Sequence, residues 1–81
     1  MSHELKCWPA SFWDITTGKK TFDVRRWDRP YQVGDELHLR EWDPSTQKYS
    51  GHNLTRRVTY LQMGGQFGVD PGYCVLGLGA P

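Results

Sequence analysis

The sequence predicts a mostly β domain, a small barrel of about five strands with one short helix near the N-terminus. Short stretches that alternate polar and apolar residues recur along the chain, and turns rich in Gly, Pro and Asp separate them. Aromatic residues make up 14% of the chain, which favours a compact core. Closing the strands into a barrel would protect their edges. The length of 81 residues fits one domain over 1–81.

A strand and a helix are predicted in the first part of the chain. His3–Trp8 alternates weakly and predicts the first strand. Pro9 favours the first turn of a helix. Its φ is already close to the helical value, and the N–H that proline lacks would have no hydrogen-bond partner at that position. Gly18 is a natural helix stop. We therefore expect a helix over Ala10–Thr17.

The second predicted strand is Thr21–Arg26. Because side chains alternate along a strand, Phe22 and Val24 share one face. Asp23 and Arg25 share the opposite face with the threonine that begins the strand.

Three further strands complete the predicted barrel. They are expected at Glu36–Trp42, Asn53–Met63 and Tyr73–Leu78. A hairpin connection with Pro and Gly joins the first two. The loop Gly64–Gly72, with four glycines, joins the last two.

The charge of the chain is distributed unevenly. The net charge of +1 is not that of a typical nucleic-acid-binding domain. Between Lys19 and Arg29, however, five basic residues face only two acidic ones. This segment predicts a local basic surface in an otherwise nearly neutral chain.

The cysteine and histidine pattern predicts neither a metal site nor a cofactor. Cys7 and Cys74 are the two cysteines, no CxxC motif occurs, and the three histidines are scattered. No apolar leader and no apolar run of about 18 residues is present, so we expect a cytoplasmic protein without membrane contact. Free thiols are expected there, and a Cys7–Cys74 disulfide is the alternative.

The segment Gly18–Arg26 is the first candidate site. Lys20 falls at the helix–strand junction, where its side chain can overhang a cleft. With Asp23 and Arg25 it could hold a phosphate or a carbonyl group. The alternative is a solvated strand with an Asp–Arg pair that neutralises itself. If the protein is an enzyme, Lys20 and Asp23 are the catalytic candidates, since no serine has a nearby histidine and Cys7 has no visible activator.

Two further segments could contact a ligand. In the loop Gly64–Gly72, Gln66 could read a base edge, and the alternative is an ordinary hairpin loop. Trp27 and Tyr31 flank Asp28-Arg29, and aromatics interleaved with Arg suit single-stranded nucleic acid. The alternative, which we favour for Tyr31, is that its ring plugs one end of the barrel.

Several collinear motifs cover essentially the whole chain: His3–Pro9, Gly18–Arg25, Asp28-Arg29, Val33–Asp35, Leu39–Asp43, and Gly64–Gly68 with Gly72-Tyr73. In this order they resemble the DUF3850 family, a small relative of the ASCH domains in the PUA-like superfamily. The resemblance implies a PUA-like barrel with the helix packed at one side. It also implies a cleft beside the helix–strand junction, where ASCH domains are proposed to bind RNA or a nucleotide.

The ASCH signature Gly-x-Lys-x-x-Glu-x-Arg falls on Gly18, Lys20, Asp23 and Arg25, with Asp where Glu is usual. Trp27 stands where DUF3850 members more often carry Asn. One ASCH branch, similar to N4-acetylcytidine amidohydrolases, uses a Lys, a Thr and a later Glu. Lys20 matches the Lys, but Asp23 stands where the Thr would be, which weakens a deacylase function. DUF3850 members resemble phage and prophage products, which implies an accessory role.

The sequence therefore leads to one function hypothesis with two alternatives. The hypothesis is a binding module for RNA, single-stranded nucleic acid or a modified nucleotide. Its phosphate-binding residues would be Lys20, Arg25, Arg26 and Arg29, with Gln66 and Tyr73 in a base pocket and Trp27 stacking at the rim. Lys6 is a further residue expected to bind the nucleic acid or ligand. The alternatives are a small hydrolase acting on a nucleoside amide or on RNA through Lys20 and Asp23, and a phage accessory protein that binds a host protein.

Overall fold

The computed structural model describes residues 1–81 and confirms the predicted order of one helix and five strands. The elements are β1 (Ser2–Cys7), α1 (Pro9–Thr16), β2 (Phe22–Arg26), β3 (Glu36–Asp43), β4 (Lys48–Met63) and β5 (Tyr73–Gly79). The helix is too short to cross a membrane.

Strand β4 is longer than the sequence predicts. It begins at Lys48 rather than Asn53, because β3 and β4 continue to pair toward their hairpin turn, where Trp42 lies opposite Tyr49. A register shift interrupts the ladder just before this last stretch of pairs. The Ser50-Gly51 pair therefore lies inside a strand and not in the connection.

The five strands form one mixed sheet with the order β1-β3-β4-β5-β2. Strand β1 is parallel to β3, and the other three pairs are antiparallel. The sheet curves into a half-barrel that does not close, so that β1 and β2 are its two edges.

The core lies on the inner face of this half-barrel. Strand pairing places Leu5 beside Leu39, and the alternating pattern of β1 and β3 turns both inward. The buried apolar side chains are Leu5, Cys7, Phe12, Ile15, Tyr31, Leu37, Leu39, Val58, Cys74 and Leu76. Phe12 and Ile15 come from α1, so the helix covers part of the inner face.

A buried carboxylate holds the helix against β3. Trp13 Nε1 donates a hydrogen bond of 2.7 Å to one oxygen of Glu41, and Ser50 Oγ donates one of 2.6 Å to the other. Both oxygens of a buried acid are thereby satisfied, as burial requires. This contact fixes the position of α1 relative to β3 and β4.

Candidate functional site

Strand β2 turns Asp23 and Arg25 inward, whereas Phe22, Val24 and Arg26 lie on its outer face. Asp23 is only 6% exposed and lies beside Leu76 of β5 on the inner face. Phe22 and Val24 on the other face are 45% and 51% exposed. Inward charges are one way to protect a sheet edge from pairing with another chain. They also place charged side chains on the inner face of the sheet, where most strands carry core residues.

A cleft of about 310 Å³ lies between the two edges of the half-barrel. We call this space the cleft. It is lined by Lys6 and Cys7 of β1, Trp8 and Ser11 at the start of α1, Lys20, and Asp23, Val24 and Arg25 of β2. The sequence prediction of a cleft beside the helix–strand junction therefore corresponds to an actual depression.

The Asp23–Arg25 pair orients a guanidinium toward the cleft. Arg25 Nε donates a hydrogen bond of 2.7 Å to Asp23 Oδ2. No protein group accepts a hydrogen bond from the two terminal nitrogens of Arg25. The predicted ion pair is present, but it is largely buried and not solvated. Asp23 thus fixes one side of Arg25 and leaves the other side available for a ligand.

Lys20 reaches the cleft because the chain reverses directly after the helix. Gly18 has a φ of +83°, the left-handed conformation that ends many helices. The Lys20 N–H then donates a hydrogen bond of 3.0 Å to the Asp14 carbonyl, which closes the turn. Lys20 Nζ donates a hydrogen bond to Ser11 Oγ.

Ser11 is a site residue that the sequence interpretation missed. A serine nucleophile is usually indicated by a histidine nearby, and Ser11 has none. Its partner is Lys20, nine positions later, and no common motif has that spacing. A signal was nevertheless present, since the helix starting at Pro9 and the stop at Gly18 imply that the chain doubles back.

The two cysteines are buried and unpaired. Burial, followed by the charge of Asp23, raises the pKa of the Cys7 thiol to about 11. Burial also raises the pKa of Cys74. Both thiols are therefore protonated at neutral pH and are poor nucleophiles and poor metal ligands. No group of three or more His, Cys, Asp or Glu residues could hold a metal ion.

A second depression of about 340 Å³, which we call the groove, adjoins the cleft through Lys6 and Arg25. Its other lining residues are Glu4, Leu5, Arg26, Asp28, Arg29, Tyr31 and Tyr49. Lys6 Nζ lies 4.3 Å from the centre of the Trp42 ring, and Arg40 lies 3.8 Å from that of Tyr49. Two cations are thus stacked on aromatic rings on this side of the molecule.

Charge in the cleft and groove is positive after ion pairing. Each of the three carboxylates has an arginine partner: Asp23 with Arg25 at 2.7 Å, Asp28 with Arg29 at 3.6 Å, and Glu4 with Arg40 at 3.1 Å. Lys6, Lys20 and Arg26 form no ion pair. The structure therefore brings together five of the predicted basic site residues, with three of them free to bind an anion.

Three predicted ligand residues do not lie in the cleft or the groove. Tyr73 lines a different depression with Val24, Val69 and Val75, because the inward neighbour Cys74 turns Tyr73 to the outer face. Gln66 is exposed in the loop after β4, where it pairs with Val69. Trp27 is half-buried against the core.

Tyr31 is part of the core, as the favoured alternative predicts. Its ring is almost fully buried, with the His3 ring 4.9 Å and the Trp27 ring 6.0 Å away in edge-to-face arrangements. Burial raises the pKa of its hydroxyl. Tyr31 therefore forms the floor of the groove and is not free for stacking.

No curated protein matches the chain. A family model described as a domain of unknown function, DUF3850, matches residues 2–78, which include every strand except the last residue of β5. The match thus covers the cleft, the groove and the sheet that positions them, and the chain belongs to the DUF3850 family.

Proposed function

We propose that the cleft and the groove together bind RNA or another single-stranded nucleic acid. The observation that carries this proposal is the inward Asp23–Arg25 pair, which presents the terminal nitrogens of Arg25 next to two lysines without acidic partners. A guanidinium with two free nitrogens matches the paired oxygens of a phosphate.

The charge distribution supports a polyanionic ligand. Lys6, Lys20, Arg25 and Arg26 extend from the cleft into the groove, so they could contact successive phosphates of one strand. Surface charges without ion-pair partners are usually well solvated. A polyanion gains the most binding affinity where several such cationic side chains lie in one row. Tyr49 in the groove adds a ring at the same edge on which a base could stack.

A PUA-like relationship is part of the same proposal. The mixed five-stranded half-barrel and the helix after the first strand support it. The signature residues Lys20, Asp23 and Arg25 also line one cleft, as the ASCH resemblance implies. A shared fold alone would say little about the ligand, so the argument for binding rests on the cleft itself.

The proposal is tested by fluorescence titration of a single-stranded RNA at several salt concentrations between about 50 and 200 mM. If about four phosphates are contacted, the logarithm of the binding constant should fall with the logarithm of the salt concentration with a slope near −3. Lys20→Ala should weaken binding and make the slope shallower by about 0.7.

Lys19→Ala is the matched control, because Lys19 is exposed, adjacent in sequence, and lines neither the cleft nor the groove. It should leave both affinity and slope close to those of the unaltered protein. Absence of binding at the lowest salt concentration, or equal effects of the two substitutions, would overturn the proposal.

A further inference from the structure

Strand β2 is an edge of the sheet, and only one of its sides is paired. Its single neighbour is β5. At one end of β2 the Leu78 N–H donates a hydrogen bond of 2.9 Å to the Thr21 carbonyl, and at the other end the Trp27 N–H donates one of 2.7 Å to the Gly72 carbonyl. Hydrogen-bonded pairs recur at every second residue of an antiparallel ladder, so the odd-numbered residues of β2 direct their backbone groups to β5.

The even-numbered residues of β2 therefore direct their backbone groups to the open edge. These residues are Phe22, Val24 and Arg26. The N–H and C=O groups of Phe22 and Val24 have no partner in a loop either. Val24 lines both the cleft and the depression beside Tyr73, as expected of a residue at the rim of the sheet. A row of such unpaired groups is a template for the addition of another strand.

The sequence of β2 is complementary to itself when a second copy runs antiparallel to it. With Val24 opposite the partner's Val24, Asp23 lies opposite the partner's Arg25, and Phe22 lies opposite the partner's Arg26. Opposite charges in directly facing positions stabilise a strand pair, and an arginine can stack on an aromatic ring. Every cross-strand pair in this register is therefore favourable.

The two inward charges also specify the register. A shift of two residues in one direction would place Asp23 opposite the partner's Asp23, and in the other direction Arg25 opposite the partner's Arg25. Like charges that face each other directly are destabilising. A shift of one residue would combine the inner face of one strand with the outer face of the other. The register centred on Val24 is thus the one that the charges allow.

The inward charges of β2 select against other strands. The side chains of Asp23 and Arg25 are only 8% and 19% exposed, so a strand with an apolar residue or a like charge opposite them would leave a desolvated charge unmatched. A second copy supplies the opposite charge at both positions. The terminal nitrogens of Arg25 have no acceptor within the chain and can donate to the partner's Asp23. Repulsion of the wrong partners is a common source of specificity.

The outer face of β2 adds an apolar surface beside the open edge. Phe22 and Val24 are 45% and 51% exposed, and Tyr73 of β5, in the next row, is 38% exposed. A contiguous exposed apolar patch often marks an interaction site. A two-fold axis at Val24 would bring the two valine side chains together and continue this apolar surface across both copies.

From the open edge, the matched charges and the apolar face together, we propose that two copies of this chain associate through β2. The two strands run antiparallel about a two-fold axis at Val24, and the two half-barrel sheets join into one. This association goes beyond nucleic-acid binding and does not require it. A phosphate and the partner's Asp23 would use the same nitrogens of Arg25, so the dimer is tested without RNA.

Cysteine cross-linking tests the register. Facing Cα atoms of a hydrogen-bonded antiparallel pair are about 5.5 Å apart, which is within the range of a disulfide. Val24→Cys should therefore form a disulfide-linked dimer on oxidation with copper–phenanthroline, read on a non-reducing gel. The native Cys7 and Cys74 are buried and should remain unlinked.

Val33→Cys is the matched control, because Val33 is also an exposed valine and lies outside β2. Cross-linking should be at least ~10-fold faster for Val24→Cys, because association raises the effective concentration of the facing thiols.

Sedimentation velocity measures the association itself. One pair of five-residue strands is a small interface, so protein concentrations from about 1 µM to about 1 mM are needed. The sedimentation coefficient of the unaltered chain should rise with concentration from that of a monomer toward that of a dimer. Val24→Pro should remain a monomer, because proline offers no N–H to the partner strand. Proline is tolerated in an edge strand where its nitrogen faces away from the sheet.

Three results would overturn the proposal. The first is an unaltered chain that stays monomeric at the highest concentration, and the second is equal cross-linking of Val24→Cys and Val33→Cys. The third is a folded Val24→Pro variant that dimerises as strongly as the unaltered chain, since the contact would then lie elsewhere. Circular dichroism checks that each variant folds. If Val24→Pro unfolds, the cross-linking comparison decides.

Discussion

Asp23 has two opposing effects on an anionic ligand, and these can be separated. As a negative charge in the cleft it repels a phosphate. As the hydrogen-bond partner of Arg25 Nε it fixes the guanidinium in the orientation that leaves its terminal nitrogens free. An arginine that is already ordered loses less side-chain entropy when it binds.

Asp23→Ala should therefore weaken RNA binding, although it removes a negative charge. We expect a loss of about fivefold, which corresponds to ~1 kcal/mol for ordering one flexible side chain. Fluorescence titration at constant salt measures it. Asp28→Ala is the control, because Asp28 is exposed and its contact with Arg29 is longer, at 3.6 Å. Tighter binding by Asp23→Ala would show that Asp23 acts only as a charge.

Among the elements, β1 is attached at its start by a buried carboxylate. Asp35 lies just before β3, with Oδ2 2.8 Å from His3 Nε2 of β1 and 3.0 Å from the Gln32 N–H. Burial tends to raise the pKa of Asp35, but the hydrogen bonds from His3, the Gln32 N–H and the Met1 amino group outweigh it, and the pKa is lowered. The ionised carboxylate is thus the form that the fold stabilises.

Acid should remove this stabilisation. A carboxyl whose pKa is lower in the folded protein contributes stability that is complete above its unfolded pKa and lost as the pH falls through the folded value. The free energy of unfolding should therefore drop below about pH 4. Urea denaturation at several pH values should show a shallower drop for Asp35→Asn than for the unaltered protein.

Asp14→Asn is the control for this measurement, since Asp14 is exposed on α1 and its carboxylate has no side-chain partner. It should leave the pH dependence unchanged. Parallel curves for Asp35→Asn and the unaltered protein would contradict the assigned role of Asp35.

At the scale of the whole molecule, the Asp23–Arg25 pair occupies space on the inner face of the half-barrel that apolar core residues could fill. Both residues occupy the inner face, beside Leu76 and Cys74. Replacing a buried ion pair with apolar residues of similar size is often neutral or stabilising. A site retained for function is expected to show this conflict with stability.

The double variant Asp23→Leu/Arg25→Met should therefore unfold at a urea concentration equal to or higher than the unaltered protein, with a gain of up to ~4 kcal/mol, while RNA binding is lost. The single variant Arg25→Met serves as the comparison. It leaves a buried carboxylate without its cation and should be destabilised by ~3–5 kcal/mol. A double variant as unstable as the single one would mean that the pair is required for folding.

Much of the fold could be predicted from the sequence. Alternation predicts the first three strands and the turn residues around them bound the last two, while Pro9 and Gly18 predict the helix to within one residue at each end. The predicted start of β4 is wrong because Ser50-Gly51 has the composition of a turn. In the structure, β4 continues to pair with β3 beyond these two residues, as far as Lys48. Local composition cannot reveal a pairing made by a partner strand.

The candidate site was harder to predict. Alternation placed Asp23 and Arg25 on one face of β2 but could not show that this face is buried, since that depends on β5. Tyr73 was expected near the cleft, but the pairing with β2 turns Cys74 inward and Tyr73 outward. The contact of Ser11 with Lys20 depends on the reversal after the helix, which no periodicity describes.

The position of β2 at the sheet edge also determines when the cleft can form during synthesis. Every residue that lines the cleft lies within the first 25 positions. Yet β2 has a single neighbour in the sheet, β5, with Phe22 opposite Gly77 and Arg26 opposite Tyr73. A nascent chain that has emerged only as far as Gly72 therefore contains the complete set of cleft side chains without the strand that holds β2 in place. The residues that line the cleft are therefore synthesised early, but their arrangement is complete only after β5 has paired with β2.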